Sequence, residues 1–79
     1  MRLDKYLKVS RLIKRRTIAN EACDNQLVLV NGKPVRASYA VQTGDRIEIR
    51  LGQRITCVEV LTVTEHAAKD EASAMYREV

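Results

Sequence analysis

The dipeptide Asn31-Gly32 constrains this chain more than any other pair of residues. It stands between two β-type runs, Leu27-Val28-Leu29-Val30 and Lys33-Pro34-Val35. A type I′ turn needs positive φ at both central residues, and Asn followed by Gly meets that need with little strain, so residues 27–35 are expected to form a hairpin. Pro34 has no amide hydrogen for a ladder, which makes the second arm short and puts it at a sheet edge. A lone hairpin is barely stable in water, so other strands must extend it. Ala37 to Thr43 reads as a connector, and Gly44-Asp45 turns into a strand in which Ile47, Ile49 and Leu51 alternate with Arg46, Glu48 and Arg50. Gly52-Gln53 turns the chain again into Ile55 to Val63. The apolar phase of that run shifts between Cys57 and Val58, as a bulge would produce.

The N-terminal part follows a different period. On a helix from Leu3 to Leu12, Arg2, Lys5, Lys8 and Arg11 sweep one side while Leu3, Tyr6, Leu7 and Ile13 gather on the other. Val9 and Leu12 fall near the basic side. Lys14-Arg15-Arg16 forms a tight basic corner, and Thr17 is a fair N-cap for a second helix over Ile18 to Asp24. That helix is expected to give Ile18, Ala22 and Cys23 to the core, and Asn25 to end it in a left-handed conformation. Residues 67–79 contain good helix formers, with Met75, Tyr76 and Val79 available to dock a short terminal helix. The expected architecture is α+β: two N-terminal helices packed on a small, mostly antiparallel sheet, with a short C-terminal helix. Residues 1–65 form the domain and 66–79 a tail.

Seventy-nine residues allow one small core. Cys23 and Cys57 lack Cys-x-x-Cys spacing, and His66 adds too few donors for zinc, so each Cys is expected to be reduced and to fill a small core position in a cytoplasmic protein. The longest strictly apolar run, Leu27 to Val30, is too short for a signal peptide or a membrane span. The basic first helix has too narrow an apolar face to favour a membrane surface. No Ser, Cys or His sits in a nucleophile context, and Gly32, Gly44 and Gly52 are spaced as turn residues, so an enzyme is not expected.

Charge carries the functional signal. Residues 1–40 hold nine basic and three acidic side chains, and residues 41–79 hold five and seven. Such a chain approaches a polyanion with its N-terminal half forward. With three Tyr, no Phe and no Trp, it lacks a base-stacking platform, so recognition should rest on charge and shape. Arg2 to Arg16 would supply phosphate contacts, extended by Lys33 and Arg36 near the turn. Asp4 has two readings. An acid in the first turn complements the helix dipole by itself, or it orients Arg2 or a neighbouring Arg.

The ordered set Arg2-Leu3-Asp4-Lys5-Tyr6-Leu7, Arg11-Leu12, Arg15-Arg16-Thr17-x-Ala19, Val28-x-Val30-Asn31-Gly32-Lys33 and Val41-x-x-Gly44-Asp45-x-Ile47 resembles the S4 RNA-binding domain over residues 1–51. The opening Met-Arg-Leu-Asp-Lys, residues 8–17 and the tail Glu71-Ala72-x-Ala74-Met75-Tyr76 are similar to the small stand-alone S4 proteins of bacterial ribosome-associated quality control. This resemblance implies a non-catalytic, monomeric factor on split large ribosomal subunits. It would contact 23S rRNA and peptidyl-tRNA and hold the tRNA while RqcH directs C-terminal alanine tailing. Matched to the motif, Arg2 and Arg16 would lead the RNA contact, with Lys5, Lys8, Arg11, Lys14 and Arg15 supporting and Asp4 taking part. The chain departs from the pattern at Gln26, where Gly is usual, and at Leu27 and Leu29, where polar residues are common. Alternatives are the related heat-shock S4 factor, which rescues subunits carrying peptidyl-tRNA, an accessory module for a separate RNA-modifying enzyme, and a pure protein-interaction module.

Overall fold

The hairpin forms around the turn that the sequence marks. In the computed structural model, which describes residues 1–79, Asn31 has φ 53° and Gly32 φ 85°. Strand β1 (Val28–Val30) pairs antiparallel with β2 (Lys33–Pro34) in the register Leu29↔Pro34 and Val30↔Lys33. On its other side β1 meets β3 (Arg46–Leu51), which pairs with β4 (Arg54–Val60), and β4 pairs with β5 (Tyr76–Glu78). The five-stranded order β2-β1-β3-β4-β5 leaves Pro34 on an edge strand, where its missing donor costs no ladder bond. The Asn31 side chain does more than turn the chain. Its amide donates to Asp45 Oδ1 at 3.1 Å while its oxygen accepts from the Arg46 amide at 3.1 Å. Asp45 Oδ2 accepts from the Tyr39 hydroxyl and the Gln42 amide, both at 2.9 Å, which fastens the connector to the turn.

Helices α1 (Leu3–Val9) and α2 (Arg16–Asp24) contribute the other layer. The sheet turns Val28, Val30, Ile47, Ile49, Val58 and Val60 inward, against Leu3, Tyr6 and Leu7 of α1 and Ala19, Ala22 and Cys23 of α2. Full burial of a Leu or Ile side chain contributes about 1.5–3 kcal/mol, so a core of sixteen residues has little redundancy. This is the expected α+β arrangement, two helices on an antiparallel sheet.

Several local expectations need correction. Helix α1 stops at Val9, three residues early, because Arg11 turns left-handed at φ 64°. Helix α2 starts at Arg16, so Thr17 lies inside it, and Arg15 occupies the N-cap with no side-chain bond. Its buried face is Ala19, Ala22 and Cys23, and Ile18 remains 43% exposed. These small side chains fall at i, i+3 and i+4, on one face of the helix. Asn25 keeps φ at −87°, and the left-handed residue is Gln26, at φ 60°. Strand β4 ends at Val60 and has no bulge, since its register with β3 is unbroken from Arg46↔Glu59 to Leu51↔Arg54. Its inward set is Val58 and Val60, which leaves Cys57 half-buried opposite Glu48 rather than in the core. Both cysteines are free, and burial, then the charges of Asp4 and Asp24, push the Cys23 thiol up to about 11.

The last residues form a helix and then a strand. Helix α3 (Lys69–Ser73) buries Ala72, and β5 adds a fifth strand beyond the four expected. The Met75 carbonyl between them accepts three hydrogen bonds: from the Tyr6 hydroxyl at 2.9 Å, the Leu61 amide at 2.8 Å and the Thr62 amide at 3.1 Å. Tyr6 is fully buried, and desolvation, then the nearby Tyr76, pushes its hydroxyl up to about 12. A folded-state value above the unfolded one stabilises below about pH 10, and that contribution is lost between about pH 10 and 12. Tyr6→Phe should therefore lower the unfolding free energy by about 1 kcal/mol at neutral pH, as the carbonyl keeps two other donors. It should also flatten the decline of stability above pH 10. Urea melts at neutral and alkaline pH would check both.

Candidate nucleic-acid interface

The first four residues are held in place by the connector. The Leu3 amide donates to the Tyr39 carbonyl at 2.8 Å, the Asp4 amide to the Ala37 carbonyl at 3.1 Å, and the Val41 amide to the Met1 carbonyl at 2.9 Å. Arg2 bridges Ala40 in the same antiparallel sense. Asp4 thus sits in the first turn of α1, facing the start of α2, with its side chain only 3% exposed.

Five hydrogen bonds from four residues converge on this carboxylate. Arg2 gives Nε to Oδ1 at 3.2 Å and Nη2 to Oδ2 at 3.3 Å. Arg16, twelve residues on, gives Nη2 to Oδ1 at 3.4 Å, and its Nε lies 3.3 Å from Oδ2. The Asn20 amide donates to Oδ2 at 3.3 Å and the Lys5 backbone amide to Oδ1 at 2.8 Å. Desolvation pulls the Asp4 pKa upward and is the largest single influence. The bonds from Asn20, Arg16, Arg2 and Lys5 together outweigh it and hold the carboxyl below its ordinary 3.8. Of the two readings of Asp4, the geometry supports orientation of arginines, and of two rather than one. Two guanidiniums of like charge repel, and a shared carboxylate holds them side by side. Their side chains are 51% and 48% exposed, so the forks keep open edges toward solvent. Such forks bind phosphate oxygens in pairs.

The remaining basic residues separate. Lys8, Arg11 and Lys14 line a second groove, faced by Glu65, His66 and Glu71. Lys5 reaches Glu65 at 3.8 Å, a contact open enough to solvent to contribute little to stability. Arg11 occupies its left-handed backbone position in that groove, where Gly would be less strained. Arg36 lines a groove with Arg2 on the other side of the cluster. Arg15 is exposed at the N-cap of α2 and forms no ion pair, and Lys33 stands on the edge strand, outside both grooves. The sequence reading misses Asn20. Its one signal is position, one turn after Arg16 on the face toward α1. No group of three or more His, Cys, Asp or Glu side chains is placed to hold a metal ion. No helix is long and apolar enough to cross a membrane.

Residues 1–47, which hold the arginine pair, its carboxylate and the hairpin, match the model of the S4 domain, and the chain belongs to the S4 domain family. Within that family it groups with proteins named RQC P-site tRNA stabilizing factor. It is 51% identical to the one from Halalkalibacterium halodurans over 76 residues, 96% of this chain and 86% of that relative. To the Bacillus subtilis protein of the same name it is 47% identical, over 96% of this chain and 88% of the relative. Among solved structures, the Vibrio cholerae Heat Shock Protein 15, described as trimeric, superposes with a TM-score of 0.93 at 29% identity, covering all of this chain and 81% of that one. The solution structure of hypothetical protein HP1423 gives 0.85 at 27% identity, over all of this chain and 96% of that one.

Proposed function

We propose that this chain is a non-catalytic RNA-binding factor of ribosome quality control, acting on large ribosomal subunits that retain peptidyl-tRNA. The observation that carries the proposal is the Arg2–Asp4–Arg16 cluster, two half-exposed guanidiniums held on one buried carboxylate. The relatives named for stabilizing a P-site tRNA support the same reading. In it Arg2 and Arg16 grip phosphates. Lys5, Lys8, Arg11, Lys14, Arg15, Lys33 and Arg36 add counter-charge, and Asp4 fixes the geometry. The partners are 23S rRNA and peptidyl-tRNA, with RqcH completing the alanine-tailing machinery. The factor works as a monomer in the cytoplasm, and it lowers the mobility of the tRNA rather than transferring a peptide.

The likeness to Heat Shock Protein 15 favours a second reading, rescue of the same subunits without tailing. Identities of 51% and 47% to the tRNA-stabilizing relatives, against 29%, put the first reading ahead. Sucrose-gradient sedimentation with purified subunits tests the common part. The protein should co-migrate with large subunits that carry peptidyl-tRNA and less with empty ones. Remaining at the top of both gradients would refute it. Reconstituted tailing with RqcH separates the two readings, because only the first expects alanine addition to depend on this chain.

A further inference from the structure

A groove of about 800 Å³ opens beside the arginine pair, between the end of α2 and the connector. Arg2 and Arg36 contribute the cations, Asp24 one acid, Asn20, Gln26 and Ser38 uncharged polar groups, and Tyr39 an aromatic ring. The fold leaves most of these groups unused. Arg36 pairs with no acid, the Gln26 carboxamide and Ser38 hydroxyl bond to nothing within the chain, and Asn20 gives one amide hydrogen to Asp4 but keeps its oxygen free. Gln26 stands out further. It holds a backbone φ of 60°, where glycine would sit without strain, yet it carries a long amide side chain into the lining. The volume falls within the range of small-ligand sites and exceeds what one phosphate needs.

Resting on the RNA-binding reading above, we propose that this groove takes one unpaired nucleotide of the bound RNA, its phosphate held by Arg2 and Arg36 and its base edge by the Gln26 and Asn20 carboxamides. Carboxamides present a donor and an acceptor side by side, the pattern that pairs with the N6 and N7 edge of adenine. RNA offers such edges where a base is splayed out of a helix. Readout here rests on hydrogen bonds, with Tyr39 the one aromatic ring in the lining. Recognition then has two parts: the arginine pair secures the backbone, and the groove selects a site where the helix is interrupted.

The test uses two fluorescein-labelled RNA hairpins, identical except for one bulged adenosine, titrated by anisotropy at one fixed salt concentration. The wild-type chain should prefer the bulged hairpin by about tenfold. Gln26→Gly relieves the backbone, so its thermal midpoint should equal or exceed that of the wild type, and its preference should fall to about one. Gln26→Asn keeps an amide and tolerates the left-handed backbone, and it should retain part of the preference. Arg16→Ala should weaken both hairpins alike. Equal affinity of the wild type for both hairpins, or undiminished preference in Gln26→Gly, would overturn the groove assignment while leaving the RNA-binding reading intact. Failure to bind either hairpin or large subunits would remove that reading and the groove with it.

Discussion

Arg16→Ala should weaken association with RNA by about ten- to a hundredfold while leaving the chain folded. A charge-assisted hydrogen bond contributes about 1.5–3 kcal/mol, and this guanidinium is half in solvent, where it is free to make one. The alkyl stem lies at the first residue of α2 and outside the core cluster, and the buried Asp4 keeps Arg2, Asn20 and the Lys5 amide as partners, so the chain should stay folded with its melting temperature lowered by a few degrees. Salt offers a second readout. Phosphate-driven binding declines with the logarithm of salt concentration, and loss of one contact should reduce that slope by about one unit. Anisotropy titrations of wild type and variant across a salt series give both numbers. A variant with lower affinity but an unchanged slope would place Arg16 away from phosphate.

Replacing Asp4 by Asn separates two models of the same cluster. If the carboxylate served only as a counter-ion, removing its charge would leave a more cationic surface and tighter RNA binding. The geometry predicts the reverse. Asn presents one acceptor and one donor where five hydrogen bonds converge, so its NH2 group meets Arg2 or Arg16 head-on and their mutual repulsion is no longer offset. RNA affinity should fall at least about tenfold, and the unfolding free energy by about 2–3 kcal/mol, as for a buried charge network that loses one partner. Acid titration gives the matching signature. Because the folded carboxyl lies below its ordinary 3.8, the wild type keeps this stabilisation above that value and loses it as pH falls through the depressed one. Asp4→Asn should lack that acid-dependent step. Urea melts from neutral pH down into the acid range would reveal it.

What could be read in advance tracks how local each determinant is. The hairpin is legible because Asn31-Gly32 satisfies its turn with its own backbone. The basic stretch is legible because seven cations among sixteen residues need no fold to be noticed. The Arg16–Asp4 contact spans twelve residues and depends on the angle between two helices, which no periodicity encodes. Asn20 is silent for the same reason: a polar residue half-way along a helix looks like surface. Ile18 misleads because it is the most hydrophobic residue of the segment, whereas the buried face of α2 is made of Ala19, Ala22 and Cys23. Strand β5 escapes notice because Tyr76-Arg77-Glu78 has no apolar alternation; backbone pairing with Val58–Val60 holds it.

The Met75 carbonyl has one more consequence, for the order of events during synthesis. The Tyr6 hydroxyl meets it across 69 positions of sequence, nearly the whole chain. Contacts of such long range form late, because the loop they close must be ordered first. While a ribosome's exit tunnel still encloses Met75, α1 cannot reach this anchor. A nascent copy would then expose its cationic helix on a loosened frame beside the very particles rich in phosphate. Met75 and strand β5 complete the frame behind that surface, so truncation just before Met75 should leave the basic sequence intact and lower the melting temperature, as thermal denaturation would show.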